Sequence, residues 1–138
     1  MNEITYKITK EVDQQQLVKL YRTAGWWSEK NDNIEFLGDL VKRTFLFVAA
    51  YDGAELIGMG RSISDEVSDA YIQDVTVLPE YRKLGIGGMI VKTLVEKLKN
   101  MGINWIGLIG EPGTQHFYEE LGFSVMKDYI PMMYKGKK

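Results

Sequence analysis

From residue 44 to residue 78 this chain loses the helical period found on both sides of it and reads as successive strands. TFLFVAAY (44–51) reads as a strand, D-G as a tight turn, and AELIGMGRSIS (54–64) as the hairpin partner. DAYIQDVTVL (69–78) reads as another strand, closed by Pro79. Three successive strands make a meander, and the segments around it must cover the faces of a sheet.

Those segments have the patterns this requires. The opening ITYKIT alternates and is β-branched, which predicts an edge strand. Asp13 with Gln16 is spaced as a helix start, and Leu17, Val18, Leu20, Tyr21 and Ala24 make one apolar stripe that ends at Gly25. GWWSEKNDN has no period and reads as a loop. A second short helix is expected from about residue 34 to 43, with Asp32 and Glu35 as its capping pair. Beyond the meander, Ile86, Met89, Ile90, Leu94, Val95, Leu98 and Met101 fall on one face of a helix over 85–101, stopped by Gly102. INWIGLIG is a short apolar strand, 113–121 a short helix ended by Gly122, and FSVMKDYIPMMYK supplies one or two closing strands. The expected fold is α/β with a mixed sheet, in the order β-α-α-β-β-β-α-β-α-β(-β), with helices on both faces. With no repeat or Pro/Gly/Ser-rich linker, residues 1–138 read as a single domain.

Composition narrows the function classes. A net charge of -2 supplies no basic field for nucleic acid or an anionic membrane. With no cysteine there is no thiol nucleophile or disulfide framework, and one histidine cannot build a multi-histidine metal centre. The first residues carry charges where a secretory signal needs an apolar core, and no apolar run reaches the ~18 residues of a membrane span. A soluble cytoplasmic protein, monomer or homodimer, is the expectation.

The glycines at 85, 87 and 88 stand between the meander and the long helix, just after Arg82 and Lys83. A glycine-rich turn into a helix start is suited to an anion, because the first helical N–H groups lack internal partners and the macrodipole favours negative charge. A merely solvated basic turn is the alternative. The Walker pattern is absent, and Ile90 stands where a dinucleotide fingerprint needs a third small residue. No clear βαβ unit surrounds the glycines, since the strands ahead of them form a meander.

What does fit is [Q/R]-x-x-G-x-[G/A], present as Arg82-Lys83-Leu84-Gly85-Ile86-Gly87. With VLPEYR in front of it, the stretch resembles the acyl-CoA signature of the GNAT superfamily of N-acyltransferases. AAYDGAELIGMG resembles that family's second and third strands, QDVTVLP its fourth, and FYEELGF (117–123) its F-Y-x-x-x-G-F box. The resemblance spans nearly the whole chain, and it implies a splayed, mostly antiparallel central sheet.

Carried over residue by residue, the resemblance implies that the backbone of Arg82, Lys83, Leu84, Gly85, Ile86, Gly87 and Gly88 holds the CoA pyrophosphate. It implies that the backbone of Val75, Thr76 and Val77 pairs with the pantetheine arm in a slot opened by a bulge, where an N–H polarises the acyl carbonyl. Tyr118 falls at the position of the acid that protonates the departing thiolate, and contacts the cofactor there; an amphipathic core anchor is the plain alternative. Asp74, the nearest carboxylate on the fourth strand, points opposite Val75 by strand alternation and is the candidate base or amine-binding group, against a solvated strand-edge residue. His116, two residues before Tyr118, is a general-base candidate, against a structural or solvated helix-start residue. The family often has an Asn ahead of the F-Y pair; GEPGTQH (110–116) has none, with Gln115 or Thr114 as substitutes.

The acceptor side would include Trp26, Trp27 and Tyr71 as aromatic contacts, with one Trp alternatively capping the core. Asp65, Glu66 and Asp69 are either a solvated turn or an acidic wall for a cationic amine. The implied activity is N-acetyl transfer from acetyl-CoA to a primary amine by direct attack in a ternary complex, without a metal. The acceptor is a small cationic or aromatic amine, or a protein amine. A non-catalytic acyl-CoA-binding sensor is the competing reading, and a mononucleotide-binding domain a third.

Overall fold

The computed structural model describes residues 3–31 and 33–136 of the 138. The chain divides into two compact units, Met1–Leu108 and Ile109–Lys138. In the first, the order is β1 (Ile4–Ile8), α1 (Gln14–Thr23), α2 (Glu35–Arg43), β2 (Leu46–Asp52), β3 (Glu55–Ser64), β4 (Asp69–Val77), a 3-10 turn (Pro79–Tyr81), α3 (Ile86–Asn100) and β5 (Trp105–Leu108).

The five strands lie in sequence order, antiparallel from β1 to β4, with β5 parallel to β4. The segment β4–α3–β5 is therefore a βαβ unit, contrary to the sequence reading. The meander ahead of the glycines is real, but the parallel partner is a short strand lying beyond a whole helix, and no local pattern announces it. β5 pairs with β4 only from Asp69↔Trp105 to Ile72↔Leu108, while β4 runs on to Val77. The second half of β4 thus extends past its β5 partner.

Both faces of the sheet are covered. Leu46, Phe47, Val48, Ala49 and Ala50 of β2 are all buried, as a strand between two helical layers must be. Leu17, Leu20 and Leu37 from α1 and α2 are fully buried, and α3 contributes Ile86, Ile90, Val91, Leu94 and Leu98. The α3 stripe follows the i, i+4 row, so Met89 and Met101, expected inside, lie at its margin and are exposed. Gly58 and Gly60 of β3 let α3 approach closely: a Cβ on Gly60 would sit 2.7 Å from Ile90 Cγ2.

Local signals behave as their chemistry dictates. The Asp13 carboxylate accepts from Gln16 N at 2.9 Å and caps α1. The Gln16 side chain reaches out to β3, where Leu56 N donates to its Oε1 at 2.8 Å. α2 has Ile34 at its N-cap with no side-chain cap bond; Asp32, the expected cap, lies outside the described residues. At the end of α3, Gly102 (φ +85°) donates to Lys99 O and Ile103 N to Leu98 O at 3.0 Å, a Schellman closure with Ile103 fully buried. No described helix is long and apolar enough to cross a membrane.

The second unit contains α4 (Gln115–Glu119), shorter than the expected 113–121 and followed by Gly122 at φ +98°. The expected closing strands are not formed among the described residues: 123–136 has no strand, and Tyr129, Ile130, Met132, Met133 and Tyr134 are exposed. A strand exists only by pairing with a neighbour. Among the described residues no strand belongs to this unit, and Pro131 interrupts the run of donors.

Candidate active site

The glycine-rich stretch folds into a helix start open to an anion. Leu78 is buried and its N–H donates to Ile57 O at 2.8 Å, fixing the exit from β4. The Tyr81 hydroxyl ties the 3-10 turn to the β2–β3 hairpin by donating to Asp52 Oδ2; that bond and the nearby carboxylates push the phenol up to about 12. Arg82 Nε donates to Val77 O at 3.0 Å, folding the guanidinium stem back onto the end of β4. Lys83 and Gly85 both adopt left-handed backbone (φ +64° and +81°), which turns the chain sharply before α3. Gly85 is the N-cap, with no side-chain cap bond, and a Cβ there would meet nothing within 4 Å. The first N–H groups of α3, from Ile86, Gly87 and Gly88, lead a helix of 15 residues. These features fit a pyrophosphate, which needs convergent amides, room, and a favourable dipole.

Beside this loop, β4 carries a bulge. Its register with β3 passes from Arg61↔Gln73 to Met59↔Thr76, so Asp74 and Val75 together face Gly60. Asp74 adopts φ +55°, the left-handed region an aspartate tolerates better than most residues. The bulge divides its two residues between the faces, as the sequence reading expected. Val75 lies with Ile90 and Leu94 of α3 around Gly60, while Asp74 reaches Tyr21 of α1.

The Asp74 carboxylate is held from two sides. Its Oδ2 accepts from Tyr21 Oη and from Arg61 Nε, each at 2.7 Å, and the Arg61 and Asp74 side chains are 14% and 23% exposed. At that burial the ion pair is well shielded from water. Burial, then the Asp74 charge, drives the Tyr21 phenol well above its ordinary value, so it stays a donor. Tyr21 and Arg61 are the members that sequence reasoning did not join to Asp74. Tyr21 looked like a core residue of a helical stripe, and it lies 53 positions away.

The aromatic residues of the acceptor side divide. Trp27 is buried, 8% exposed, and serves the core. Trp26 is half-buried, edge-on to Tyr21 with ring centroids 5.6 Å apart. Tyr71 is 45% exposed and leans on Trp105 at 5.1 Å, a partner the sequence reading missed. Asp65 builds its own loop, accepting from the N–H groups of Val67, Ser68 and Asp69 and from the Ser68 hydroxyl. Those bonds, the Ser68 N–H first, hold its carboxyl well below the usual range.

In the second unit, Tyr118 is packed edge-on between Phe117 (4.8 Å) and Phe123 (5.8 Å). Burial, then the charge of Glu111, raises its phenol above 10.0, so at neutral pH the hydroxyl carries its proton. His116 is exposed and its Nε2 lies 3.0 Å from Glu120 Oε1. The substitutes for the missing Asn are engaged locally: Gln115 Nε2 donates to Glu119 Oε2 at 3.1 Å and the Thr114 hydroxyl to Glu111 O at 2.6 Å. Among the described residues, no group of three or more acidic or histidine side chains could hold a metal ion.

A βαβ unit with an anion-ready helix start, joined to a bulged strand that outruns its neighbour, defines a class of acyl-CoA-using transferases. Residues 6–123 match the model of the acetyltransferase (GNAT) family, and the chain belongs to that family. It is 25% identical over 136 residues to an uncharacterized N-acetyltransferase, ycf52, of Pyropia yezoensis, covering 96% of this chain and 76% of that protein. A GNAT-family acetyltransferase of Streptococcus pneumoniae superposes with a TM-score of 0.81 at 27% identity, covering 99% of this chain and all of that one. The fold is also that of a PaiA N-acetyltransferase from Thermoplasma acidophilum solved with coenzyme A (TM-score 0.71, 23% identity, 88% and 91% covered). The chain is thus an N-acetyltransferase by family, with acetyl-CoA as the donor the family implies.

Proposed function

We propose that this chain transfers an acetyl group from acetyl-CoA directly to a primary amine, with both substrates bound together. The observation that carries the reading is the left-handed, uncapped Gly85 start of α3, set beside a β4 that runs on past β5. Acetyl-CoA supplies the acetyl group as an activated thioester. The amides of Ile86, Gly87 and Gly88, with the turn from Arg82 to Gly85, hold its pyrophosphate. The backbone of Val75, Thr76 and Val77 takes the pantetheine arm, and an N–H there polarises the carbonyl.

The acceptor nitrogen forms a bond to the carbonyl carbon while the carbon–sulfur bond breaks and its electron pair leaves on sulfur. The Tyr118 hydroxyl gives the sulfur its proton, a role that rests on its place in the F-Y-x-x-x-G-F pattern and on its protonated state at neutral pH. The proton lost by nitrogen passes to solvent, and Tyr118 regains from solvent the one it gave to sulfur, so the step balances. Asp74 faces the incoming amine as its charge partner, held in place by Tyr21 and Arg61. Trp26 and Tyr71 are the aromatic contacts of the acceptor, with Trp27 supporting them from the core.

A screen of thiol release from acetyl-CoA across small amines, polyamines, amino acids and peptides tests this. Release that depends on one class of amine is the expected result. Saturable acetyl-CoA binding without release to any amine would instead make the chain an acyl-CoA sensor.

A further inference from the structure

A cleft of about 300 Å³ lies on the α2 side of β3, and its walls carry both charge signs. Leu40, Phe45 and Ile63 give it apolar sides, Arg43 and Arg61 cationic groups, and Glu66 one carboxylate. Arg61 joins this cleft to the bulge. Its Nε is committed to Asp74 at 2.7 Å, but Nη1 and Nη2 reach only Thr44 Oγ1 and Gln73 Oε1, both at 3.4 Å. Those lengths are beyond the usual 2.7–3.2 Å, so the outer edge of the guanidinium retains donor capacity. Among the described residues Arg43 has no ion-pair partner.

Two guanidinium groups on one small cleft are suited to a carboxylate, which a planar fork binds through two parallel bonds. Glu66 on the same wall, and Asp74 on the far side of Arg61, disfavour a dianion such as a phosphate and favour a positive group nearby. The arrangement matches one molecule bearing both a carboxylate and an amine a short distance apart. The volume is at the small end of ligand clefts, which suits a single amino acid better than a chain.

Building on the transferase reading, we infer that the acceptor is an amino acid. Its carboxylate is held by Arg43 and the Nη groups of Arg61, and its amine is directed to Asp74 at the β4 bulge. The product is then an N-acetyl amino acid and free CoA thiol.

The test is thiol release with matched pairs, each proteinogenic amino acid against its own carboxamide, on the wild-type chain, Arg43→Gln and Arg43→Lys. The expected result is a preference for the amino acid over its carboxamide of about tenfold or more in kcat/KM, the scale of one charge-assisted bond. Arg43→Gln should shrink that ratio to within about threefold, chiefly through KM, and Arg43→Lys should restore part of it. Equal use of acid and amide, or equal losses for both in Arg43→Gln, overturns the inference. Release with simple amines but no amino acid also overturns it, and leaves the transferase reading standing. No release with any amine overturns both.

Discussion

Tyr118 carries the sharpest claim at the scale of single residues. A phenol that donates its proton must be neutral, and burial with the Glu111 charge raises its pKa from 10.0, which extends the neutral form to higher pH. Rate should therefore not fall through loss of this acid anywhere below about pH 10, and should fall only as pH rises past the raised value. Tyr118→Phe should lower kcat by roughly a hundredfold or more while leaving the Kd for acetyl-CoA within about twofold. Steady-state kinetics at saturating donor, paired with calorimetric titration, check both numbers; an unchanged kcat where chemistry limits turnover removes the acid role. Asp74 shows what sequence can and cannot say at this scale. Its place on the fourth strand, facing away from Val75, follows from strand alternation and the family pattern. Its Tyr21 and Arg61 partners do not, because contacts between α1, β3 and β4 leave no trace in local spacing.

Elements were legible wherever their signals are local. Asp13 caps α1, Gly102 closes α3, and Asp52-Gly53 turns β2 into β3, each through backbone chemistry within a few residues. The parallel pairing of β4 with β5 was not legible, since it depends on α3 packing across the sheet. The closing strands were overread, because alternation in 123–134 records a capacity to pair and not the presence of a partner. The packing of α3 also sets where the anion-binding amides point. A side chain on Gly60 would collide with Ile90 Cγ2 and press on Leu94 and Val75. Gly60→Val should destabilise the fold by about 1–3 kcal/mol, measured by urea unfolding at constant m-value. A variant as stable as the wild type would mean that α3 does not rest on β3 as closely as described.

At the scale of the whole molecule, the account rests on acetyl-CoA binding at the start of α3. Ligand that binds only the folded chain must stabilise it, by about 2.7 kcal/mol at a concentration of 100 times Kd. For a chain of 138 residues that corresponds to a rise in Tm of roughly 9 °C. Gly87→Glu places a bulky carboxylate among the amides of Ile86, Gly87 and Gly88, where like charge excludes a pyrophosphate. The most direct measurement is thermal unfolding of the wild-type chain and Gly87→Glu, with and without millimolar acetyl-CoA. A shift of several degrees for the wild type and none for the variant is the predicted result. No shift in the wild type, or the same shift in both, would contradict the placement of the donor and the transferase mechanism built on it.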